Sequence, residues 1–234
     1  MLDTVVILAG GLGTRLKSVL PDTPKCLAPI NETPFIGLLI SFLKKQGITN
    51  FVFSLGYKSD SVIEYLECNF KNINIHYSVE KEQLGTGGAI KLALTKVAAE
   101  EVLVVNGDTF FNNDLKNFYK FHKLYKSNFT IALTKVENGE RFGSVVLNDQ
   151  KEVVGFSEKN ESKSVSFLIN AGQYILNKED FLSHKTENKF SIELDFFQNN
   201  KIQKKLYGYE FTSEFIDIGI PDDLKRAQTF FNKN

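Results

Sequence analysis

The chain has 234 residues, 42% of them hydrophobic and 12% aromatic against 24% charged, so it can fill a core and is not a disordered polymer. Its 28 basic residues balance 28 acidic ones, which excludes a global field for nucleic acid or an anionic membrane and makes any anion site a local one. Only Cys26 and Cys68 occur, without a CxxC pair, and His76, His122 and His184 are scattered, so neither a disulfide framework nor a zinc site is expected.

Met1 to Ala9 lacks the basic start and long apolar stretch of a signal peptide, and the apolar segment near Phe35 to Leu43 is shorter than the ~20 residues of a spanning helix. A cytoplasmic protein is expected. Val5-Val6-Ile7-Leu8 reads as a strand buried on both faces. Thr33-Pro34 then caps a helix whose Phe35, Leu38, Leu39, Phe42 and Leu43 share a stripe, and Gly47 ends it. Phe51 to Leu55 is the next strand, Ser59 to Leu66 the next helix, and Ile73, Ile75, Tyr77 and Val79 alternate as a third strand. A helix near Gly88 to Val97 and the strand Val102 to Val105 follow, and repeated units of this kind predict a doubly wound, mostly parallel, Rossmann-like α/β sheet.

Beyond Asp108 come the helix Leu115 to Tyr125 and the strand Thr130 to Leu133. Ser144 to Leu147 and Val153 to Ser157, with Asn148-Asp149 between them, predict an inserted antiparallel hairpin. Leu168 to Leu176, helical stretches at Lys178 to Ser183 and Ile192 to Asn199, the strand Leu206 to Phe211 and a helix Asp222 to Phe231 complete the chain. With no linker or repeat, the reading is a single domain over 1–234, in two halves of about 1–110 and about 111–234.

The stretch LAGGLGTRLKSVLPDTPKCLAPI, from Leu8 to Ile30, follows the first strand, where open sheets bind ligands. Glycines let successive backbone amides turn toward an anion with no Cβ in the way. Two familiar loops fail on spacing. A dinucleotide fingerprint would need glycine at Leu16 and an acid near Ser54-Leu55-Gly56, and a Walker loop would need Gly-Lys-Ser/Thr where Gly13-Thr14-Arg15 stands. Arg15 and Lys25 supply the cationic groups that a reacting triphosphate requires. Lys25, set between Pro24 and Cys26, is expected in a loop rather than a helical turn.

Leu8-Ala9-Gly10-Gly11-Leu12-Gly13-Thr14-Arg15-Leu16, followed by Pro24-Lys25, resembles the signature of the sugar-1-phosphate nucleotidylyltransferases. The similarity continues through Gln83 to Gly88, Asn106-Gly107-Asp108, Asn170-Ala171-Gly172 and Asp217 to Pro221. It implies the GT-A-like fold of that family, with the half at about 1–110 binding the nucleotide and the half at about 111–234 binding the sugar phosphate. It further implies that Leu8, Ala9, Gly10, Gly11, Gly13 and Thr14 wrap a nucleoside triphosphate, with Arg15 on its β and γ phosphates and Lys25 on the reacting phosphate. Two aspartates at matching positions, Asp108 and Asp217, are implied as ligands of Mg2+, a hard cation that takes only one or two protein carboxylates beside phosphate and water. Each follows an apolar run and is expected to emerge at a sheet edge.

The segment VEKEQLGTGGA, from Val79 to Ala89, is expected to read the base, with Gly85 and Thr86 at a helix start where small residues let backbone approach a nucleobase. Glu80 is the position expected to discriminate, with neighbouring Glu82 or Gln83 as the residues that could instead meet the base. Guanine offers two adjacent donors, N1-H and N2-H2, which one carboxylate accepts together, whereas uracil and thymine offer one donor between acceptors, which suits an amide. A charge-assisted hydrogen bond contributes ~1.5 to 3 kcal/mol, roughly tenfold to a hundredfold in affinity. For the sugar phosphate the resemblance implies Gly143, Glu158 and Asn170 on the sugar and Lys159 on its phosphate. Ile220 departs from the pattern, standing where the family commonly has threonine, and no hexapeptide repeats follow.

The expected reaction is in-line attack by a sugar 1-phosphate oxygen on the α-phosphorus of GTP, releasing pyrophosphate, with Arg15, Lys25 and Asp108 as the catalytic set and no covalent enzyme intermediate. Within the family the chain looks most like the members that activate a heptose 1-phosphate for surface polysaccharide. Mannose 1-phosphate with GTP, or an N-acetylhexosamine 1-phosphate with UTP, stays open. From another class, so does a nucleotide-sugar-sensing subunit without turnover. The partners expected are the two substrates, with no nucleic acid and no membrane, and a homodimer is left open by the sequence.

Overall fold

The computed structural model describes residues 2–16, 18–136, 144–157, 167–198 and 206–232. In chain order the elements are β1 (Thr4–Leu8), β2 (Pro29–Ile30), β3 (Thr33–Pro34), α1 (Phe35–Lys45), β4 (Asn50–Leu55), α2 (Ser59–Asn69), β5 (Asn74–Val79), α3 (Gly85–Ala93) and β6 (Glu101–Asn106). There follow β7 (Thr109–Phe111), α4 (Leu115–Leu124), β8 (Phe129–Val136), β9 (Ser144–Leu147), β10 (Val153–Ser157), β11 (Phe167–Asn177) and α5 (Lys178–Ser183). A π-helical stretch (Ile192–Phe197), β12 (Leu206–Phe211), β13 (Phe215–Asp217) and α6 (Pro221–Asn232) close the chain.

β1 is central because Thr4 to Leu8 is apolar on both faces. Val5 and Ile7 enter the core beneath α1, and Val6 enters the core beneath α3 and the π-helical stretch. β6 repeats the pattern, with Leu103 and Val105 on the first face and Val102 and Val104 on the second. The strands β5, β4, β1 and β6 lie side by side in that order, all parallel. The order reverses at β1, since the chain moves outward through β4 and β5 and then returns to β1's other flank with β6. That reversal opens a crevice beyond the carboxyl ends of β1 and β6, the place where doubly wound sheets bind ligands.

The second half departs from this regime. β11 runs antiparallel to β6 and β8, β12 runs parallel to β8, and β9 and β10 form the expected hairpin. Asn148 closes that hairpin, its side-chain oxygen accepting from the backbone N–H groups of Gln150 and Glu152, as an asparagine turn should.

Three local expectations change. Thr33-Pro34 does not cap α1 by a side chain; it pairs as β3 with β2, and Pro34 precedes the helix with no capping hydrogen bond. The third helix opens at Gly85 as expected but ends at Ala93 and passes into a 3-10 turn at Leu94–Lys96, rather than running on to Val97. Lys25 opens a single 3-10 turn, Lys25–Leu27, rather than a free loop. Pro24 restricts the residue before it, not the one after, and its carbonyl accepts the Leu27 N–H at 2.8 Å.

Candidate active site

Backbone hydrogen bonds tie together the segments that leave the four parallel strands. Ala9 N–H donates to Ser54 O, Glu80 N–H to Leu55 O and Gly107 N–H to Leu8 O, each at 2.8 Å. This floor requires glycine where chains nearly touch: a Cβ on Gly56 would lie 2.9 Å from Gly10 O, and one on Gly107 would lie 2.8 Å from Leu8 O. Gly11 differs, because a Cβ there would meet nothing within 4 Å. Among the described residues that Cβ position faces open space.

Above the floor is a cavity of about 340 Å3. Leu8, Ala9, Gly10 and Gly11 line it on one side, Glu80, Gln83, Gly85 and Thr86 on another, and Lys25 and Asp108 at one end. Gly13, at φ 58°, turns the first loop into a 3-10 turn at Thr14–Leu16 whose buried Leu16 anchors it and leaves Arg15 at the surface. The loop packs on the stem of Lys25, since a Cβ on Gly13 would sit 3.3 Å from Lys25 Cβ.

Lys25 stands between the two expected metal ligands. Its ammonium pairs with Asp108 and lies 3.7 Å from Asp217 Oδ1. Residues 109 positions apart in the chain therefore reach one point, because β7 and β13 pair antiparallel, with Thr109 opposite Asp217, and carry the two acids together. Arg15 joins them: a Cβ on Gly219 would lie 2.7 Å from Asp217 Oδ1 and 3.3 Å from both Arg15 Nη2 and Lys25 Nζ. Burial, then the like charge of Asp108, raises the Asp217 carboxyl above its ordinary range; Lys25 and the Gly219 N–H, 2.5 Å from Oδ1, pull the other way. Two carboxylates converging on one cation are a hard oxygen set that fits Mg2+, and among the described residues no third acid, histidine or cysteine joins them. Phosphate oxygens would have to complete such a shell.

Glu80 faces the cavity from the end of β5. Its Oε2 accepts the Leu84 N–H at 3.0 Å, and Oε1 lies against Gly10. Burial raises its carboxyl, with the Leu84 bond opposing. One oxygen is thus fixed by the protein while the group keeps acceptor capacity toward a ligand.

The glycine run after it has a different physical cause from the one expected. Gly85 (φ 68°) lies so close to Phe190 that a Cβ would meet Phe190 O at 2.6 Å, and Gly88 is covered by Leu84 and Asn188. Phe190 O accepts from Gly87 N–H at 2.9 Å, and Phe190 N–H donates to Leu84 O at 3.0 Å. Gly85 and Thr86 do line the cavity, but the run is small because a distant segment packs on it. The same segment brings Lys189 into the lining, and β4 brings Ser54, whose buried hydroxyl has no partner among the described residues. No sequence signal singles out Lys189; the unusual density of glycines at 85 to 88 is the sole trace of its segment.

Asn170 sits on β11 just beyond the end of β6, with Gly172 packed on the Asn106 side chain. Its Oδ1 accepts the Gly172 N–H at 2.9 Å, and its Nδ2 donates to Tyr174 Oη and Glu193 Oε1 at 2.9 and 2.7 Å. Gly143, Glu158 and Lys159 lie outside the described residues.

A family model described as nucleotidyl transferase matches residues 4–234. The chain is 43% identical over 223 residues to a D-glycero-alpha-D-manno-heptose 1-phosphate guanylyltransferase of Aneurinibacillus thermoaerophilus, covering 95% of this chain and 96% of that one. It is 44% identical over 218 residues to the protein of the same name in Campylobacter jejuni, covering 93% and 95%. The crystal structure of HddC from Yersinia pseudotuberculosis complexed with GMP-PN superposes with a TM-score of 0.85 at 37% identity, covering 99% of this chain and 100% of that one.

Proposed function

Because the chain belongs to the nucleotidyl transferase family, we propose that it joins GTP to D-glycero-α-D-manno-heptose 1-phosphate, giving a GDP-sugar and pyrophosphate. The observation that carries this reading is the gathering of Arg15 and Asp217 around Lys25, which with Asp108, the first glycine turn and Glu80 lines one cavity. Cation and acid cluster where the reacting phosphates must meet, and a two-acceptor carboxylate lies where a base edge must be read.

The chain's own work is alignment and charge compensation. The open space beside Gly11 receives phosphate oxygens, Arg15 steadies the outer phosphates, and Lys25 holds the reacting one. An oxygen of the sugar 1-phosphate attacks the α-phosphorus, the bond to the bridging oxygen breaks, and pyrophosphate leaves with that electron pair. The incoming phosphate is already ionised near neutral pH, so no general base is needed, and no histidine is among the described residues that line the cavity. Asp108 and Asp217 would hold Mg2+, which supplies a Lewis acid that neutralises charge on the phosphate oxygens. Glu80 accepts guanine N1-H and N2-H2. Gly143, Glu158 and Lys159 are assigned to the sugar-phosphate side, where Asn170 also stands. Among the described residues no helix is long and apolar enough to cross a membrane, and the cytoplasm, where nucleotide triphosphates are abundant, is the expected compartment.

The test is a matrix of nucleoside triphosphates against sugar 1-phosphates, scored by pyrophosphate release with Mg2+ present. GTP with the heptose 1-phosphate is expected to give the highest kcat/KM. A protein that binds GDP-sugar yet releases no pyrophosphate from any pair would instead be a sensor subunit, and faster turnover with UTP would remove the base assignment.

A further inference from the structure

The hydrogen bonds around Asn170 leave it little capacity for a substrate. Both N–H bonds of its amide are spent on protein acceptors, Tyr174 Oη and Glu193 Oε1, and one lone pair of its oxygen is spent on Gly172 N–H. Tyr174 is itself fully buried and passes its own proton toward Glu193 Oε1 at 3.0 Å. Three groups thus form a closed ring of hydrogen bonds whose terminus is one oxygen of Glu193. The other oxygen, Oε2, has no protein partner among the described residues.

Glu193 also sits in the right place for the second substrate. Ile192, the residue before it, donates its N–H to Thr86 Oγ1 at 3.0 Å, which fixes the start of the π-helical stretch to the rim of the nucleotide cavity. On its other side the carboxylate meets Asn170 and Tyr174 of β11, the strand whose Gly172 packs on the Asn106 side chain, and Asn106 lines the nucleotide cavity with Lys25 and Asp108. A sugar whose 1-phosphate reaches an α-phosphorus held at Asp108 and Lys25 would extend toward this group. Burial raises the Glu193 carboxyl, while the Tyr174 and Asn170 donors oppose it and keep an acceptor oriented in a half-buried position.

We propose that Glu193 is a specificity-determining residue whose Oε2 accepts a hydrogen bond from a ring hydroxyl of the sugar 1-phosphate, and that Asn170 acts as a positioning residue for it. This rests on the reading of the chain as a sugar-1-phosphate guanylyltransferase and names the group that reads the sugar. Neither step is covalent; a hydroxyl of the substrate donates and the carboxylate accepts.

The experiment is steady-state kinetics of wild type, Glu193→Gln and Tyr174→Phe with GTP, using the heptose 1-phosphate and its monodeoxy analogues. Glu193→Gln keeps shape but places a donor where Oε2 was. The expected result is a rise of roughly 10- to 100-fold in KM for the sugar phosphate with KM for GTP unchanged. Wild type should discriminate against one deoxy analogue by a similar factor, and Glu193→Gln should lose that discrimination, because the group that read the missing hydroxyl is gone. Tyr174→Phe should weaken all sugar phosphates alike and leave the deoxy profile intact. An unchanged deoxy profile in Glu193→Gln, or equal losses for GTP and sugar, would overturn the proposal while wild-type turnover still upheld the reaction. No pyrophosphate from wild type would instead sink the reaction itself. If Glu193→Gln does not fold, Glu193→Asp serves: its retracted carboxylate should penalise the full substrate and spare the same deoxy analogue, and equal penalties on both would count against the assignment.

Discussion

Replacing Gly85 by alanine should damage the fold, whereas the same change at Gly11 should damage substrate binding. At Gly85 the backbone is at φ 68°, a conformation that costs an L-residue about 1–2 kcal/mol. The new methyl would also lie 2.6 Å from Phe190 O and 3.0 Å from Phe190 C, backbone atoms that cannot rotate away, and overpacking of that kind costs about 1–3 kcal/mol. The sum is about 2–5 kcal/mol, and for a chain of this size each kcal/mol lowers Tm by about 2–4 °C. Gly11 has no positive φ and no neighbour within 4 Å of its Cβ position, so alanine there should change stability by less than about 0.5 kcal/mol. Its methyl would instead occupy space beside the phosphates and raise KM for GTP. Urea titration and pyrophosphate-release kinetics on both variants check the contrast. A Gly85→Ala protein as stable as wild type, with a selective loss of GTP binding, would mean that the glycine run serves the base and not the Phe190 segment.

Asp108→Asn should lower kcat by roughly two to three orders of magnitude with little change in the unfolding midpoint, measured by pyrophosphate release beside urea titration. Glu80→Gln should move the preference from GTP toward UTP or dTTP by about tenfold, read from kcat/KM for each nucleotide. His122 is buried with Nε2 3.6 Å from Glu101 Oε1, and burial holds its pKa down to about 4 from an ordinary 6.5. The unfolded chain therefore takes up that proton first, so stability should be full above about pH 6.5 and fall as pH drops toward 4, by up to about 3 kcal/mol; His122→Gln should flatten that part of the pH profile of urea midpoints. Burial and the charge of Asp108 push the Cys26 thiol up to about 12, so a thiol reagent should modify Cys68 alone in the native protein and both cysteines after unfolding.

Much of the nucleotide half was legible in the residues. Runs such as Val5 to Leu8 and Val102 to Val105, apolar on both faces, admit no place except the middle of a covered sheet, and the glycine loop between strand and helix marks its ligand end. Boundaries were less legible. Helix α3 gives way to a 3-10 turn at Leu94 before the Val97 end that its apolar stripe suggests, and its opening Gly85 to Gly88 are ordered by Phe190 and not by their own propensity. Asn170 was legible as a residue of the site, but its partners were not. Glu193, 23 positions away on a stretch with ordinary helical patterning, carries no local mark of the ring of hydrogen bonds that engages it.

Local chemistry, a property of neighbouring residues, determined what could be written along the chain: which runs form strands, where glycines free the backbone, and which side chains carry charge suited to phosphate. Which of those charges meet was decided by strand pairing. Lys25, Asp108 and Asp217 come to one point because β1 and β6 are neighbours and because β13 returns across the whole chain to pair with β7. Pairing over such separations depends on the packing of the entire sheet, and no short stretch of residues contains it.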